Sequence, residues 1–356
     1  MAKQLTIKEI ARLAGVSPGT VDRILHNRGR VSGESLEKVR RVLEENNYKQ
    51  NIHTSAISLK TEYRIVVCVP DSGDGDYWGS VRYGITRALE EYSDIDLSCT
   101  FIPYDQFNAD SSGSAFQAVL EQKCDAVIIG PTFENETRIL CSALAERHTP
   151  YVFVDADVEG TSPVAVITTD QNACGRLLGK LMTMMCPKDS RMALFHINRK
   201  GGLHSLNSVV REKAMKDFIR LSGRSSALIE TSIQISHDSC AEGIRSFIGT
   251  NPDIQVAAVL NSRGHIIADA LKDCGRPDIR TLAFDVTYNN RRCIKDGSLT
   301  ALICQRPETQ GFSAVRSVIE YLIYGSTVQK STMPVDLVLK ENIDLYSEDT
   351  SGTRSR

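Results

Sequence analysis

The sequence predicts an α/β protein in two parts, a three-helix head of helix-turn-helix type followed by a two-lobed body of doubly wound parallel sheets. Two amphipathic helical patterns hinged at Gly15 occupy residues 6–25. From Tyr63 onward, short apolar runs alternate with helical patterns of ten or more residues, the signature of βαβ units and parallel sheets. That series runs for nearly three hundred residues, too long for one such layer, so two similar lobes are expected. The expected boundaries are a head at 1–50, a hinge at 51–62, the body at 63–346 and a loose polar tail at 347–356.

In the head, Thr6 and Glu9 have the spacing of a capping box, in which hydroxyl and carboxylate satisfy each other's free backbone donors. Ile7, Ile10, Ala11 and Ala14 then form one apolar stripe, and Gly15 tolerates the positive φ that ends the helix. Ser17 caps the second helix and Pro18 takes its first position, where a missing N–H costs nothing. With Val21, Ile24 and Leu25 turned inward, the outer N-terminal face carries Ser17, Gly19, Thr20 and Arg23. In a helix-turn-helix, such residues meet base edges in the major groove. A third helix capped by Ser32 buries Leu36, Val39, Val42 and Leu43. Charge separates the two parts. Residues 1–60 contain eleven Lys/Arg and six Asp/Glu, a net of +5, whereas the whole chain is −2. A basic head on an acidic body suits a protein whose head alone meets phosphate.

From Thr6 to Ser32 the chain resembles the headpiece of the LacI/GalR transcription regulators, whose pattern T-I-x-(D/E)-(V/I)-A-x-x-A-G-V-S-x-x-T-V-x-R-x-L it fills at nearly every slot. The resemblance implies operator DNA as partner, with Thr6, Ser17, Pro18, Gly19, Thr20, Asp22, Arg23 and Asn27 at the interface. Asp22 stands where the family usually has Ser, and Pro18 and Gly19 offer little side-chain hydrogen bonding. Readout should then lean on Arg23, Asp22 and DNA shape. The resemblance continues through residues 48–59, the family's hinge helix, which places Ile57 as the apolar wedge in the minor groove. Gln50 replaces the usual Pro there and Thr54 the usual Ala.

In the body, strands are expected at 64–69, 97–102, 126–129, 151–154, 165–168, 192–196, 227–235, 256–260, 281–284 and 300–304. Parallel sheets bind ligands beyond the carboxyl ends of their strands. The residues there include Tyr77, Trp78, Asp155, Asn261, Asp285 and Gln305, with Arg211 near a helix start. Their order and context resemble the ligand set of the sugar-binding periplasmic-protein fold, in its ribose-binding-like branch. This implies a small sugar or polyol effector: Arg211 donates, Asp155 and Asp285 accept, and Asn261 and Gln305 do both. Tyr77 and Trp78 could meet the C–H face of a sugar ring or simply pack within a lobe. The aspartate such proteins carry after the third strand is replaced by Phe133, with Glu134 next, and Phe133 joins the candidate set by position.

Other readings are weaker. The glycines of 70–79 are mis-spaced for a dinucleotide loop and accompanied by three aspartates, and no EF-hand glutamate follows for calcium. Gly175-Arg176-Leu177-Leu178-Gly179-Lys180 is one residue short of a phosphate loop and falls in mid-helix. Ten cysteines without a C-x-x-C pair read as buried thiols, not as a metal site or a disulfide framework. No cofactor or metal is expected. The polar, charged N-terminus lacks the apolar stretch of a secretory leader, so a cytoplasmic chain with no membrane contact is expected. The resemblance implies a dimer, and the tail lacks the added helix of the family's tetramers. A sugar-responsive DNA-binding regulator, acting as a repressor, therefore leads. An exported solute-binding protein for a transporter would have no use for a basic head. A sugar kinase with a DNA-binding head would need a phosphate loop and catalytic carboxylates, so no enzymatic activity is expected.

The poor helix propensity of 52–59 predicts a segment that folds only on the operator. In the DNA-free protein, amide exchange across 52–59 should show no protection. Ile57→Ala should reduce specific binding and DNA bending more than nonspecific binding, and equal bending by variant and parent would refute the wedge.

Overall fold

The computed structural model describes residues 5–25, 31–45, 62–73, 75–198, 205–234, 240–325 and 330–346. The candidates Asn27 and Ile57, the hinge up to residue 61 and the tail lie outside them.

Among the described residues, three helices form the head: α1 (Ile7–Ala14), α2 (Pro18–Leu25) and α3 (Gly33–Glu45). The capping box forms as the spacing predicts, Glu9 N–H donating to Thr6 Oγ1 (3.3 Å) and Thr6 N–H to Glu9 Oε2 (2.7 Å). Gly15 closes α1 at φ 66°, in the left-handed region that favours glycine. Ile10, Ala11, Ala14, Val21, Val39 and Val42 make a small common core. Leu36, expected in that stripe, is 40% exposed, so α3 meets the core through its later turns.

All ten predicted strands are present: β1 (Tyr63–Cys68), β2 (Leu97–Phe101), β3 (Ala126–Ile129), β4 (Tyr151–Asp155), β5 (Ala165–Thr169), β6 (Arg191–Asn198), β7 (Leu228–Gln234), β8 (Ile254–Val259), β9 (Arg280–Phe284) and β10 (Ala301–Cys304). Two short strands the sequence did not suggest join them, β11 (Lys330–Met333) and β12 (Asp336–Val338). They make two six-stranded sheets. The first runs β11-β5-β4-β3-β1-β2 and is wholly parallel. The second runs β12-β10-β9-β8-β6-β7, with only β12 antiparallel. Each sheet is covered on both faces, and the alternation of side chains sorts its strands into two cores. Ile65 and Val67 enter one cluster, Val66 and Cys68 another. In the second lobe Ala193, Phe195 and Ile197 separate in the same way from Met192 and Leu194.

Among the described residues, the chain passes between the lobes three times. After β5 (Ala165–Thr169), helix α7 (Gln171–Met185) packs into the second lobe. After β10, helix α12 (Pro307–Tyr324) returns its Ala314, Val315, Val318 and Ile319 to the first. The last passage joins β11 to β12. Each lobe also contains one very close helix pair. A Cβ on Gly84, in α4 (Tyr77–Glu91), would fall on the Glu308 carbonyl, and one on Gly311 would fall on the Val81 carbonyl. In the second lobe Gly175 and Gly179 of α7 lie against the Arg211 and Met215 carbonyls of α8 (Leu206–Leu221). The apparent phosphate loop 175–180 is thus a helix-packing surface. No helix among the described residues is long and apolar enough to cross a membrane.

Gly84→Ala should destabilise the body by about 1–3 kcal/mol, the usual cost of forcing a group into a filled core. Urea denaturation would measure it, and an unchanged midpoint would show that the two helices can separate freely.

Candidate ligand cleft and head surface

A cleft of about 380 Å³ opens between the lobes at the carboxyl ends of their strands. The first lobe contributes Tyr77, from the start of α4, and Asp155, the last residue of β4 (Tyr151–Asp155). Tyr77 Oη donates to Asp155 Oδ1 at 2.5 Å. Burial raises the Asp155 carboxyl above its ordinary range, against the opposing pull of the Tyr77 hydroxyl and the Arg211 guanidinium. Burial, and then the charge of Asp155, raises the Tyr77 phenol well above its usual value, keeping it a donor.

The second lobe contributes Arg211, Asn261 and Asp285, and Gln305 lies in the crossing to α12. Arg211 is only 4% exposed. Its Nε donates to Gln171 Oε1 (2.6 Å), Nη1 to the Leu260 carbonyl (2.9 Å) and Nη2 to Gln305 Oε1, while its guanidinium lies 4.3 Å from the centre of the Phe284 ring. Gln305 Nε2 donates to both Asp285 oxygens, at 3.2 and 3.0 Å. Burial pushes the Asp285 carboxyl up to about 7, with Arg211 and the Gln305 backbone N–H opposing. Asp155 and Asp285 have φ of 79° and 61°. A left-handed non-glycine residue costs about 1–3 kcal/mol and persists where its surroundings over-determine it, as at ligand sites. The two lobes thus aim one strained aspartate each at the same space.

The remaining candidates divide. Asn261 lines the cleft, its Oδ1 accepting from Arg263 N–H at 3.1 Å. Trp78 touches the cleft but is 5% exposed, with its ring packed on Gly130 and edge-on to Tyr77. Of the two roles left open for it, lobe packing dominates. Phe133 does not line the cleft. It is 7% exposed in the first-lobe core beside Tyr104, because α6 (Glu134–Glu146) begins immediately after it and turns it under the sheet. Thr132 reaches the cleft instead, and Glu134 pairs with Arg138.

Sequence reasoning overlooked Asn207, Phe107, Arg263 and His196, all of which line the cleft. Asn207 lies one helical turn before Arg211, a spacing that puts both on one face, and donates to the Asp155 carbonyl across the lobes at 3.2 Å. Phe107, in the loop following β2 (Leu97–Phe101), stacks on Arg263 at 4.9 Å. His196, Glu212 and Glu230 are one group of metal-ligating types in mutual reach. Lys216 Nζ bonds both carboxylates, at 2.6 and 2.8 Å, so a cation of the chain itself already lies between them and offsets one of their two charges.

On the head, Thr6, Ser17, Pro18, Gly19 and Arg23 are exposed, with Thr20 and Asp22 half-buried. Thr20 N–H donates to Ser17 Oγ at 3.1 Å and Arg23 Nε to the Gly19 carbonyl at 3.0 Å. The polar face therefore presents itself on the surface of a packed three-helix core.

The pattern of the periplasmic binding protein domain matches residues 65–326, most of the chain. The chain belongs to that domain family. Its head, residues 6–51, matches the lacI family of bacterial regulatory proteins. The transcriptional regulator MalR of Streptococcus pneumoniae is 28% identical over 165 residues, 45% of this chain and 48% of MalR. The regulators it resembles in this way, DegA of Bacillus subtilis included, are matched over about half their length. Catabolite control protein A of Staphylococcus aureus is 22% identical over 303 residues, 82% of this chain and 84% of that protein. Among solved structures, a candidate LacI transcriptional regulator from Bacteroides fragilis superposes with a TM-score of 0.76 at 26% identity, covering 81% of this chain and all of the other. The myo-inositol binding protein of Caulobacter shares the fold, with a TM-score of 0.68 at 18% identity over 80% of this chain and 95% of that one.

The raised carboxyl of Asp285 sets a pH dependence. An unfolded aspartate releases its proton near 4, whereas the folded one holds it to about 7. The folded state binds the extra proton, so this contribution to stability is full below about pH 4 and is lost as pH rises through about 7. Asp285→Asn should flatten the fall of melting temperature between about pH 4 and 7, and parallel curves for variant and parent would count against a buried, proton-holding Asp285.

Proposed function

We propose that this protein is a sequence-specific DNA-binding transcriptional regulator whose operator affinity is set by a sugar or polyol held between the lobes. One observation carries the reading: a head with an exposed polar recognition face is joined to a body whose interlobe cleft is lined by hydrogen-bonding groups from both lobes. A polyhydroxylated ligand needs that mixture, because each buried hydroxyl left unpaired costs about 1–3 kcal/mol. The named lacI-type relatives, and the fold shared with a protein solved with myo-inositol, support the same reading.

A ligand binding groups from both lobes favours the closed arrangement, and its differential affinity for that arrangement is what can shift the head. The proposed working unit is a cytoplasmic homodimer gripping a near-palindromic operator, repressing until the effector changes the spacing of its heads. Arg23 and the Ser17–Thr20 pair are its phosphate and base contacts, and Tyr77, Asp155, Arg211, Asn261, Asp285 and Gln305 its effector contacts. No catalytic step is assigned to it.

A thermal-shift screen against pentoses, hexoses, myo-inositol and phosphorylated sugars tests the effector class, since a ligand specific for the folded state raises its stability. Operator selection from random duplexes tests the head. Arg23→Ala should abolish binding to the selected duplex while sparing the thermal shift, and Arg211→Ala should do the reverse. An unchanged thermal shift in Arg211→Ala would remove the cleft assignment.

A further inference from the structure

Behind the cleft, a set of buried polar side chains ties the effector-facing groups to the segments that join the lobes. Gln171 does not line the cleft and is 9% exposed. It opens α7, directly after the first crossing. Its Oε1 accepts from Arg211 Nε at 2.6 Å, and its Nε2 donates to Thr169 Oγ1 at 2.8 Å and to Gln305 Oε1 at 3.3 Å. Thr169 Oγ1 also donates to Gln305 Oε1, at 3.2 Å. The second crossing is held from its other side by Gln310, whose Nε2 donates to the Gln305 carbonyl at 2.9 Å. The first and second crossings are therefore joined through Thr169, Gln171 and Gln305, and both touch Arg211.

One atom in this set is over-subscribed. Gln305 Oε1 is approached by Arg211 Nη2, Thr169 Oγ1 and Gln171 Nε2, yet an amide oxygen has two lone pairs. The guanidinium contact is charge-assisted and so the stronger, whereas the other two are neutral and long, at 3.2 and 3.3 Å. Any group that draws Arg211 Nη2 toward the cleft frees a lone pair for the two donors of the first crossing. A set with two mutually exclusive pairings is the kind of bistable element that can carry coupling between a site and a hinge.

We propose that Gln171 is a positioning residue. It orients Arg211 from behind the cleft and relays that arginine's engagement to the crossings by exchanging partners on Gln305 Oε1. The relay rests on the reading of the cleft as an effector site, whereas the positioning of Arg211 can be tested without any effector.

The test uses the full chain labelled with ¹⁵N-arginine, in which the Arg211 Nε–H resonance is assigned by its loss in Arg211→Lys. In Gln171→Ala this proton should exchange with solvent about tenfold faster or more, the scale expected on losing a hydrogen bond to a charged group, and Gln171→Glu should restore the parent rate. Backbone amides of β8 (Ile254–Val259) should keep their protection in both variants, which separates repositioning from unfolding. If β8 stays protected and Arg211 Nε–H exchange is unchanged in Gln171→Ala, the positioning role is overturned. Should Gln171→Ala fail to fold, exchange in Gln171→Glu and Gln171→Met decides instead, slow in the first and fast in the second. Calorimetric titration of D-glucose, D-arabinose and myo-inositol supplies the second arm. For whichever binds the parent, the dissociation constant should rise about tenfold in Gln171→Ala, and the contraction seen by small-angle scattering on its addition should shrink. A parent-like contraction in that variant overturns the relay. If none of the three binds the parent, the relay falls with the polyol reading, and the exchange result still decides the positioning role.

Discussion

The body depends on burying one guanidinium where the two lobes meet. A charged group can leave water only if its donors are satisfied, and Arg211 reaches that condition with partners from separate parts of the chain: the Leu260 carbonyl, the Gln171 and Gln305 amides and the face of Phe284. Arg211 therefore acts less as a side chain added to a finished cleft than as the group around which its floor is assembled. Asp285 follows from it. A carboxyl that is 3% exposed remains compatible with the fold because Gln305 and Arg211 face it.

That arrangement needs close backbone approach. Gly175 lets the first helix of the second lobe lie against the Arg211 carbonyl, and Gly84 and Gly311 do the same for the helix pair of the first lobe. Each lobe is thereby closely packed beside a crossing. Polar side chains, which can exchange hydrogen-bond partners, are concentrated at the crossings themselves, with Thr169, Gln171, Gln305 and Gln310 all buried there. On the proposed reading, closely packed lobes with a polar joint suit a protein that converts occupancy of a cleft into a change of lobe angle.

The head uses a separate logic. Among the described residues its buried core is six small or branched apolar side chains, and its caps do much of the local specification. The residues presented outward are poor in hydrogen-bonding side chains at Pro18 and Gly19, which leaves the exposed Ser17 and Arg23 with the half-buried Thr20 between them. Arg23 is steadied by the Gly19 carbonyl one turn back, so the small residue at 19 contributes an accessible backbone acceptor.

Much of this was legible in the sequence because it is local. The capping box at Thr6 and Glu9, the glycine stop at Gly15 and the ten apolar strands are patterns of a few adjacent residues, and the strand-end rule pointed to Asp155, Asn261, Asp285 and Gln305 before their spatial neighbours were known. Tertiary structure alone decided the rest. The edge strands Lys330–Met333 and Asp336–Val338 are too short to announce themselves, and each pairs with a sheet that offers an unpaired edge. Phe133 had the right sequence position for a ligand contact, but the helix beginning at Glu134 turns it into the core. Gln171 had no sequence signal at all. Its partners, Arg211 forty residues away and Gln305 a further ninety-four beyond that arginine, become neighbours only once the chain has crossed between the lobes and returned.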